Sequence, residues 1–244
     1  MAMISTRGIF ALLWATFYCL GVHGAIFTFR NNCPYKVWPA ILTGTGPPIS
    51  LTGFELPSKA SGNLTANPSW SGRIWARTQC TMDSSYKFTC ATADCGSGHI
   101  QCNGAGGIPP ASLIEFTLAP NSGGKDFYDI SLVDGFNLPL SVTPQGGAGC
   151  KSVSCPANIN SVCPPELAVK GRSGVIACKS ACLALNQPQY CCTGNYGSPD
   201  KCFPTRYSKI FKQRCPQAYS YAYDDKTSTF TCGSGANYLF TFCP

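Results

Sequence analysis

Residues 125–144 read KDFYDISLVDGFNLPLSVTP and combine two apolar segments with three aspartates. The alternation in FYDISLV predicts a β-strand, because successive side chains of a strand point to opposite faces. Asp126 and Asp129 would then lie on opposite faces. The pair Asp134-Gly135 is a turn signal, and FNLPLSV is expected to return as the second strand of a hairpin.

Asp129 and Asp134 need an explanation in a chain with 11 acidic and 18 basic residues. Asp134 has an ordinary interpretation as a turn-forming residue. An aspartate inside a strand is disfavoured, so Asp129 is either hydrogen-bonded to the backbone or part of a site. The two side chains can converge only if the turn or a β-bulge redirects one of them.

Other segments extend the β pattern. In ASLIEFTLAP the apolar side chains alternate with Glu115, which therefore points away from them. The region between Cys150 and Cys215 differs, since it is rich in cysteine and proline, and Val175 to Leu185 is predicted to form a helix. We therefore predict a mainly β protein, with an antiparallel β core interrupted by two disulfide-rich insertions.

The first 24 residues are typical of a secretory signal peptide. Arg7 is followed by the nearly continuous apolar run IFALLWATFYCLGV, and Gly24 suits cleavage. The run is too short for a membrane span, so an exported protein without a transmembrane segment is expected. Removal of Cys19 leaves an even number of cysteines, which in an oxidising compartment favours complete pairing in disulfides over metal binding.

His99 is the one histidine that would remain after cleavage, and it lies in a short cysteine loop. A Ser–His or Cys–His catalytic site is therefore not expected, and neither is a metal centre or another cofactor. The net charge of +7 comes without a long basic run, so nucleic acid is not an expected partner. Five basic residues form either an ordinary solvated face or a candidate patch for anionic walls or membranes. They are Lys201, Arg206, Lys209, Lys212 and Arg214.

Five segments carry a resemblance to a known family. They are WSGRIWARTQC, FTCATADCGSGHIQCNGAGGIPPASLIEFTL, KDFYDISLVDGFNLPLSVTP, PQYCCTGNYGSPDKC and CPQAYSYAYDDKTSTFTC. On these motifs the chain resembles a thaumatin-like protein, of the plant pathogenesis-related class, from Ala25 to Pro244. The family signature usually has a glycine where this chain has Tyr86. Tyrosine adopts positive φ less readily than glycine, so this turn is where the chain could depart from the family.

The resemblance implies a three-domain architecture. Domain I would be a β-sandwich of residues 25–77, 109–156 and 216–244, domain II a disulfide-rich region with short helices at 157–215, and domain III a small disulfide lobe at 78–108. The implied disulfides are Cys33–Cys243, Cys80–Cys90, Cys95–Cys102, Cys150–Cys232, Cys155–Cys215, Cys163–Cys178, Cys182–Cys191 and Cys192–Cys202.

The family also has an acidic cleft between the sandwich and the large lobe. Placed by motif, its residues would be Arg73, Glu115, Asp129, Asp134 and Asp224. Asp126 and Asp225 are not carried over and are interpreted as solvated neighbours. Clustered carboxylates can accept hydrogen bonds from sugar hydroxyls, or a pair such as Glu115 and Asp129 can act as acid and base on a glycosidic bond.

The resemblance implies a secreted, antifungal plant defence protein that binds β-1,3-glucan through this cleft, as a monomer. Two alternatives stay open: a weak endo-β-1,3-glucanase using Glu115 and Asp129, and an inhibitor of microbial or insect glycosidases that acts through exposed loops. Asn63, in a polar connector, is the predicted N-glycosylation site. Because the chain ends at Pro244 without the C-terminal extension of vacuolar relatives, the apoplast is the expected location.

Overall fold

The computed structural model describes residues 24–244, and the predicted signal peptide lies outside the described residues apart from Gly24. Within this range no helix is long and apolar enough to cross a membrane. The strands are β1 (Ala25–Asn31), β2 (Trp38–Thr45), β3 (Ser61–Ala66), β4 (Ser71–Met82), β5 (Phe88–Thr92), β6 (Leu113–Thr117), β7 (Lys125–Ser131), β8 (Leu140–Gln145), β9 (Val153–Cys155), β10 (Ala168–Gly171), β11 (Gly174–Cys178), β12 (Phe230–Gly233) and β13 (Asn237–Phe242). The helices are α1 (Ala181–Leu185), α2 (Pro188–Cys191), α3 (Arg206–Arg214) and α4 (Asp225–Ser228), with short 3-10 helices at Ile159–Val162 and Gly194–Tyr196.

Most strands belong to two sheets. The first sheet has five strands in the order β3-β1-β13-β8-β9, and the second has six in the order β12-β7-β6-β4-β2, with β5 paired to the far end of β4. β1 runs parallel to β13, so the two ends of the described chain lie side by side in the first sheet. The other pairings in the two sheets are antiparallel, which confirms the predicted mainly β class.

The two sheets pack face to face through buried aromatic side chains. Phe27 of β1 contacts Phe116 of β6 edge-on, with 5.2 Å between the ring centroids, and Phe240 of β13 with 5.0 Å. Tyr128 of β7 stacks on Phe116 at 5.5 Å. Aromatic pairs of this kind contribute about 0.5–1.5 kcal/mol beyond the burial of their area. This packing anchors β6 and β7, and therefore positions the side chains on their outer face.

β7 and β8 do not form the predicted hairpin. The turn itself forms, because the Gly135 N–H donates to the carbonyl of Leu132 at 2.9 Å. After the turn, Phe136 exchanges two backbone hydrogen bonds with Cys178, at 2.8 and 2.7 Å, and the chain then enters β8 in the other sheet. The hairpin prediction was wrong because the segment after the turn pairs with a strand that is distant in sequence.

The predicted helix from Val175 to Leu185 is a strand in its first half. Residues Gly174–Cys178 form β11, which pairs with β10. α1 begins only after Ser180, whose hydroxyl accepts a hydrogen bond from the Leu183 N–H at 3.2 Å. The β-branched Val175 and its neighbour Ile176 favour an extended backbone, and serine is a preferred N-cap. The prediction was therefore wrong for the residues before the cap.

Eight disulfides join the cysteines of the described chain in the pairs that the resemblance implied. Cys33–Cys243 links the segment after β1 to the segment after β13 across 210 residues. Cys155–Cys215 connects the last strand of the first sheet to the end of α3. Between residues 24 and 244 there is no cluster of three or more side chains that could hold a metal ion.

Tyr86 adopts the left-handed conformation that the family's glycine takes easily. Its φ is +61° and its side chain is 82% exposed. Asp83 stabilises the turn, because its Oδ1 accepts hydrogen bonds from the N–H groups of Ser85 and Lys87 at 2.9 Å each. Tyr86 therefore keeps positive φ, although this conformation costs free energy for a residue with a Cβ atom.

Candidate functional site

Three predicted site residues form a row across neighbouring strands of the six-stranded sheet. Arg73 of β4 lies opposite Glu115 of β6, and Glu115 lies opposite Asp129 of β7. Residues directly opposite share a face and have Cβ atoms about 4.5–5.5 Å apart. Arg73 and Glu115 form an ion pair, with Nε and Oε1 2.9 Å apart. Their neighbours Ile114 and Ile130 are fully buried, so the row points away from the sandwich core.

Asp129 is enclosed by other charged groups and by the sheet. Its Oδ2 atom is buried and has no hydrogen-bond partner among residues 24–244. Burial is the main cause that raises the pKa of Asp129 from 3.8 to about 8; the charge of Glu115 also raises it, Arg73 lowers it, and Asp225 raises it further. At neutral and acidic pH Asp129 is therefore protonated and can donate a hydrogen bond or a proton.

Tyr219 positions a further acidic residue, Asp225, at the same site. Its backbone extends the sheet edge beside the end of β7: the N–H donates to the carbonyl of Ile130 at 2.8 Å, and the carbonyl accepts from the Leu132 N–H at 2.9 Å. Its hydroxyl donates to Oδ1 of Asp225 at 2.9 Å and lies 2.6 Å from the hydroxyl of Thr229. Burial is the main cause that raises the pKa of Tyr219 to about 12, so the phenol keeps its proton.

Together these side chains line a cleft with about 640 Å³ of space, including the part open to solvent. The lining is Arg73, Leu113, Glu115, Asp129, Ser131, Val133, Asp134, Tyr219, Ala222 and Asp225. Asp134 joins the cleft because the turn closed by Gly135 redirects the chain after β7. Protonated Asp129 and the arginine supply donors, and the other three acids supply acceptors, which suits a ligand rich in hydroxyl groups.

The structure places Asp224 outside this cleft and Asp225 inside it. Oδ2 of Asp224 accepts from Nζ of Lys212 in α3 at 2.9 Å and from the N–H and hydroxyl of Ser220 at 3.0 and 2.8 Å. Lys212 also donates to the carbonyl of Ala218 at 3.0 Å. Asp225 is exposed, as expected for a solvated neighbour, but it also lines the cleft, whereas the ion pair with α3 holds Asp224 outside the cleft lining.

Asp126, in contrast, is not solvated. It is 1% exposed, and its two oxygens accept hydrogen bonds from the Tyr238 hydroxyl at 2.6 Å and from the Ala119 N–H at 2.8 Å. Burial and this hydrogen bond to Asp126 raise the pKa of Tyr238, which keeps the phenol protonated as a donor. Asp126 thus fixes the strand against the other sheet, and its interpretation as a solvated residue was wrong.

The remaining predicted positions lie on the surface. Asn63 is exposed, but it sits opposite Thr28 in the edge strand β3 and not in a connector, so that part of the prediction was wrong. His99 is exposed. Of the five basic residues of the candidate patch, Lys212 is engaged by Asp224, and the others are exposed.

Comparisons with known proteins agree with this fold. The pattern of the thaumatin family matches residues 31–244. "Thaumatin-like protein 1" of Pyrus pyrifolia is 67% identical over 92% of this chain and 93% of its own length. "Glucan endo-1,3-beta-glucosidase" of Prunus avium is 61% identical over 92% of each chain, and "Pathogenesis-related protein 5" of Arabidopsis thaliana is 53% identical over the full length of both. The chain therefore belongs to the thaumatin family.

Proposed function

We propose that this chain is a secreted plant defence protein that binds the β-1,3-glucan of fungal walls through the cleft around Asp129, as a monomer. Its likeness to a plant protein named as pathogenesis-related supports the defence role. The apoplast is the proposed location, since export through a signal peptide would place the disulfides in an oxidising compartment. Asn63 is the proposed glycan attachment site, because it is exposed within an intact sequon.

The row of Arg73, Glu115 and Asp129 is the observation that carries the proposal. It presents a cation, a carboxylate and a protonated carboxyl side by side on one face of the sheet. Each hydroxyl of a neutral glucan can donate and accept, so it can use both kinds of partner.

Binding of the purified protein to an insoluble linear β-1,3-glucan tests this proposal. Glu115→Gln keeps the size of the side chain but removes its charge and weakens its acceptor, so we expect about tenfold weaker binding. Glu55→Gln is the matched control, because Glu55 forms a surface ion pair with Lys36 at 2.7 Å and is not part of the cleft lining. Equal binding by the wild type and both variants would refute a role of the cleft.

A second candidate function is hydrolysis of the same glucan. A relative that is 61% identical carries the name glucan endo-1,3-beta-glucosidase. In addition, Asp129 holds a proton beside Glu115, which is paired with Arg73. A pair of carboxyl groups of which one is protonated and one is ionised is the requirement for glycoside hydrolysis. Asp129 would protonate the leaving glycosidic oxygen while the Glu115 carboxylate attacks the anomeric carbon. Water, deprotonated by Asp129, would then release the sugar from Glu115.

Release of reducing ends from a soluble linear β-1,3-glucan distinguishes the two functions. A binding protein releases none, and that is the result we expect. Release by the wild type that disappears in both Asp129→Asn and Glu115→Gln, but persists in Glu55→Gln, would establish the second candidate. The comparison with the binding assay then separates loss of chemistry from loss of affinity.

A further inference from the structure

A second concave region lies where the β10–β11 hairpin, the middle of β4 and the segments after β1 and β13 meet. It encloses about 820 Å³, including the part open to solvent, and it shares no lining residue with the acidic cleft. Its lining is Pro34, Tyr35, Thr78, Gln79, Asn137, Pro139, Asn158, Asn160, Ser173, Val175, Ile176 and Cys243. We refer to this set as the amide groove.

The chemistry of the amide groove is polar without charge. Its lining contains four side-chain amides and two aliphatic hydroxyls but no acidic or basic residue. Gln79, Asn158 and Ser173 are exposed to solvent and offer both donors and acceptors. Asn158 uses its Oδ1 to accept from the Asn160 N–H at 3.2 Å, which leaves its NH₂ group available to a ligand.

Asn160 contributes a fixed amide to the lining of the groove. Its Nδ2 donates to the carbonyls of Asn137 and Ile176 at 3.1 Å each, which fixes the orientation of the amide. Its Oδ1 is buried and has no donor among the residues that the structure describes. Buried acceptors are normally satisfied, so this oxygen is an exception within a residue of the lining.

Tyr35 supplies the apolar part of the site. Its ring is 46% exposed and lies beside the Cys33–Cys243 disulfide, with its hydroxyl 3.9 Å from the sulfur of Cys243. Gln79 and Cys243 both have positive φ, +52° and +54°. Non-glycine residues in this conformation are costly and concentrate at ligand sites. An exposed ring beside fixed amides is therefore consistent with a ligand that has an apolar face and polar edges.

We propose that the amide groove binds a neutral oligosaccharide, independently of the acidic cleft. A sugar ring has an apolar C–H face that can pack on Tyr35 and hydroxyl edges that can pair with the amides and Ser173. A charged ligand would lose its hydration without gaining a counter-charge, because none of the lining side chains is charged. The groove has the size and concave form of small-molecule sites.

Titration of the isotope-labelled protein with neutral trisaccharides, followed by NMR, tests this site. The probes are laminaritriose, cellotriose and tri-N-acetylchitotriose, and the charged counterparts are trigalacturonate and the glucosamine trimer. We expect at least one neutral probe to shift the signals of Gln79 and Ser173, and Tyr35→Ala to weaken that binding about tenfold. Gln79→Ala should weaken it as well, while Glu115→Gln in the acidic cleft should not.

Two matched variants control for side-chain loss elsewhere on the surface. Tyr196→Ala removes a tyrosine that is 40% exposed, and Gln145→Ala removes an exposed glutamine of β8; neither residue lines the groove. Both should retain wild-type affinity for the neutral probe. The proposal is overturned if no neutral trisaccharide binds, if the charged trimers bind more tightly than the neutral ones, or if Tyr35→Ala and Tyr196→Ala bind equally well.

Discussion

Asp129 makes a pH-dependent contribution to stability. In the folded chain its pKa is raised to about 8 by burial, by Glu115 and by Asp225, against Arg73, whereas an unfolded aspartate titrates near 3.8. Between these two values the folded state holds a proton that the unfolded state has released. The contribution of Asp129 to stability therefore falls as pH rises through this window, by at most about 1.4 kcal/mol per pH unit, and levels off above it.

The substitution Asp129→Asn removes this titration. The free energy of unfolding of the variant, relative to that of the wild type, should therefore increase from pH 4 to pH 8. The measurement is the free energy of unfolding in guanidinium chloride at several pH values, with the disulfides intact. The exposed variant Glu55→Gln should follow the wild type throughout. A constant difference between Asp129→Asn and the wild type across this pH range would show that Asp129 titrates normally.

Tyr86→Gly should stabilise the protein by about 1 kcal/mol, because a residue with a Cβ atom at φ +61° bears a conformational cost that glycine avoids. The side chain is 82% exposed, so little packing is lost. Tyr86→Ala is the control, since alanine keeps the Cβ atom and should give no gain. Chemical denaturation of the three proteins checks this, and a glycine variant no more stable than the alanine variant would contradict it.

At the residue scale, the alternation of β7 predicts which face each aspartate occupies. It places Asp126 and Asp129 on opposite faces, and in the structure Asp126 faces the core and Asp129 the cleft. It does not predict that Tyr238, 112 residues away, satisfies Asp126 in the core. Nor does it distinguish Asp224 from Asp225, because that choice depends on the ion pair with Lys212 in a separate helix.

At the scale of the strands, the register of β6 and β7 sets the spacing of the Cβ atoms that carry the two candidate catalytic carboxyls. Glu115 and Asp129 are directly opposite each other, where Cβ atoms lie about 4.5–5.5 Å apart. Carboxyl groups about 5 Å apart are typical of retaining glycosidases, whereas inverting enzymes need about 6.5–9.5 Å for an intervening water.

Any hydrolysis that this pair performs should therefore retain the anomeric configuration. Proton NMR of the first products from a linear β-1,3-glucan, recorded before mutarotation, should show the β anomer. Asp129→Asn should release neither anomer, which ties the signal to this site and not to a contaminating enzyme. Initial formation of the α anomer would show that a water molecule, and not Glu115, attacks the anomeric carbon.

The elements that the sequence predicts well are those whose environment is local. Ile114 and Phe116 alternate with Glu115 in the sequence, and their strand β6 forms as expected, with both apolar side chains buried. The hairpin predicted after Gly135 does not form, because Phe136 pairs with Cys178 of β11. The position of a turn can be read from its residues, but the sheet that receives the next strand depends on long-range pairing.

At the scale of the whole molecule, segments from the two ends of the described chain lie together in the first sheet. β1 and β13 pair in parallel at its centre, and Cys33–Cys243 connects the segments that follow them. The sheet therefore depends on contacts between residues separated by nearly the whole chain. Ordering such distant segments has a large entropic cost, which a covalent link reduces in the unfolded state.

Removal of this link should be more destabilising than removal of a short one. The loop closed by Cys33–Cys243 spans 210 residues, for which the chain-entropy relation gives about 5 kcal/mol, against about 2 kcal/mol for the 7-residue loop of Cys95–Cys102. The double variants Cys33→Ala/Cys243→Ala and Cys95→Ala/Cys102→Ala should therefore differ by about 3 kcal/mol in the free energy of unfolding. Guanidinium denaturation with the other seven disulfides oxidised measures this difference. Equal losses would mean that these seven already restrict the unfolded chain enough to hold its ends together, and that the parallel pairing of β1 with β13 does not depend on its own disulfide.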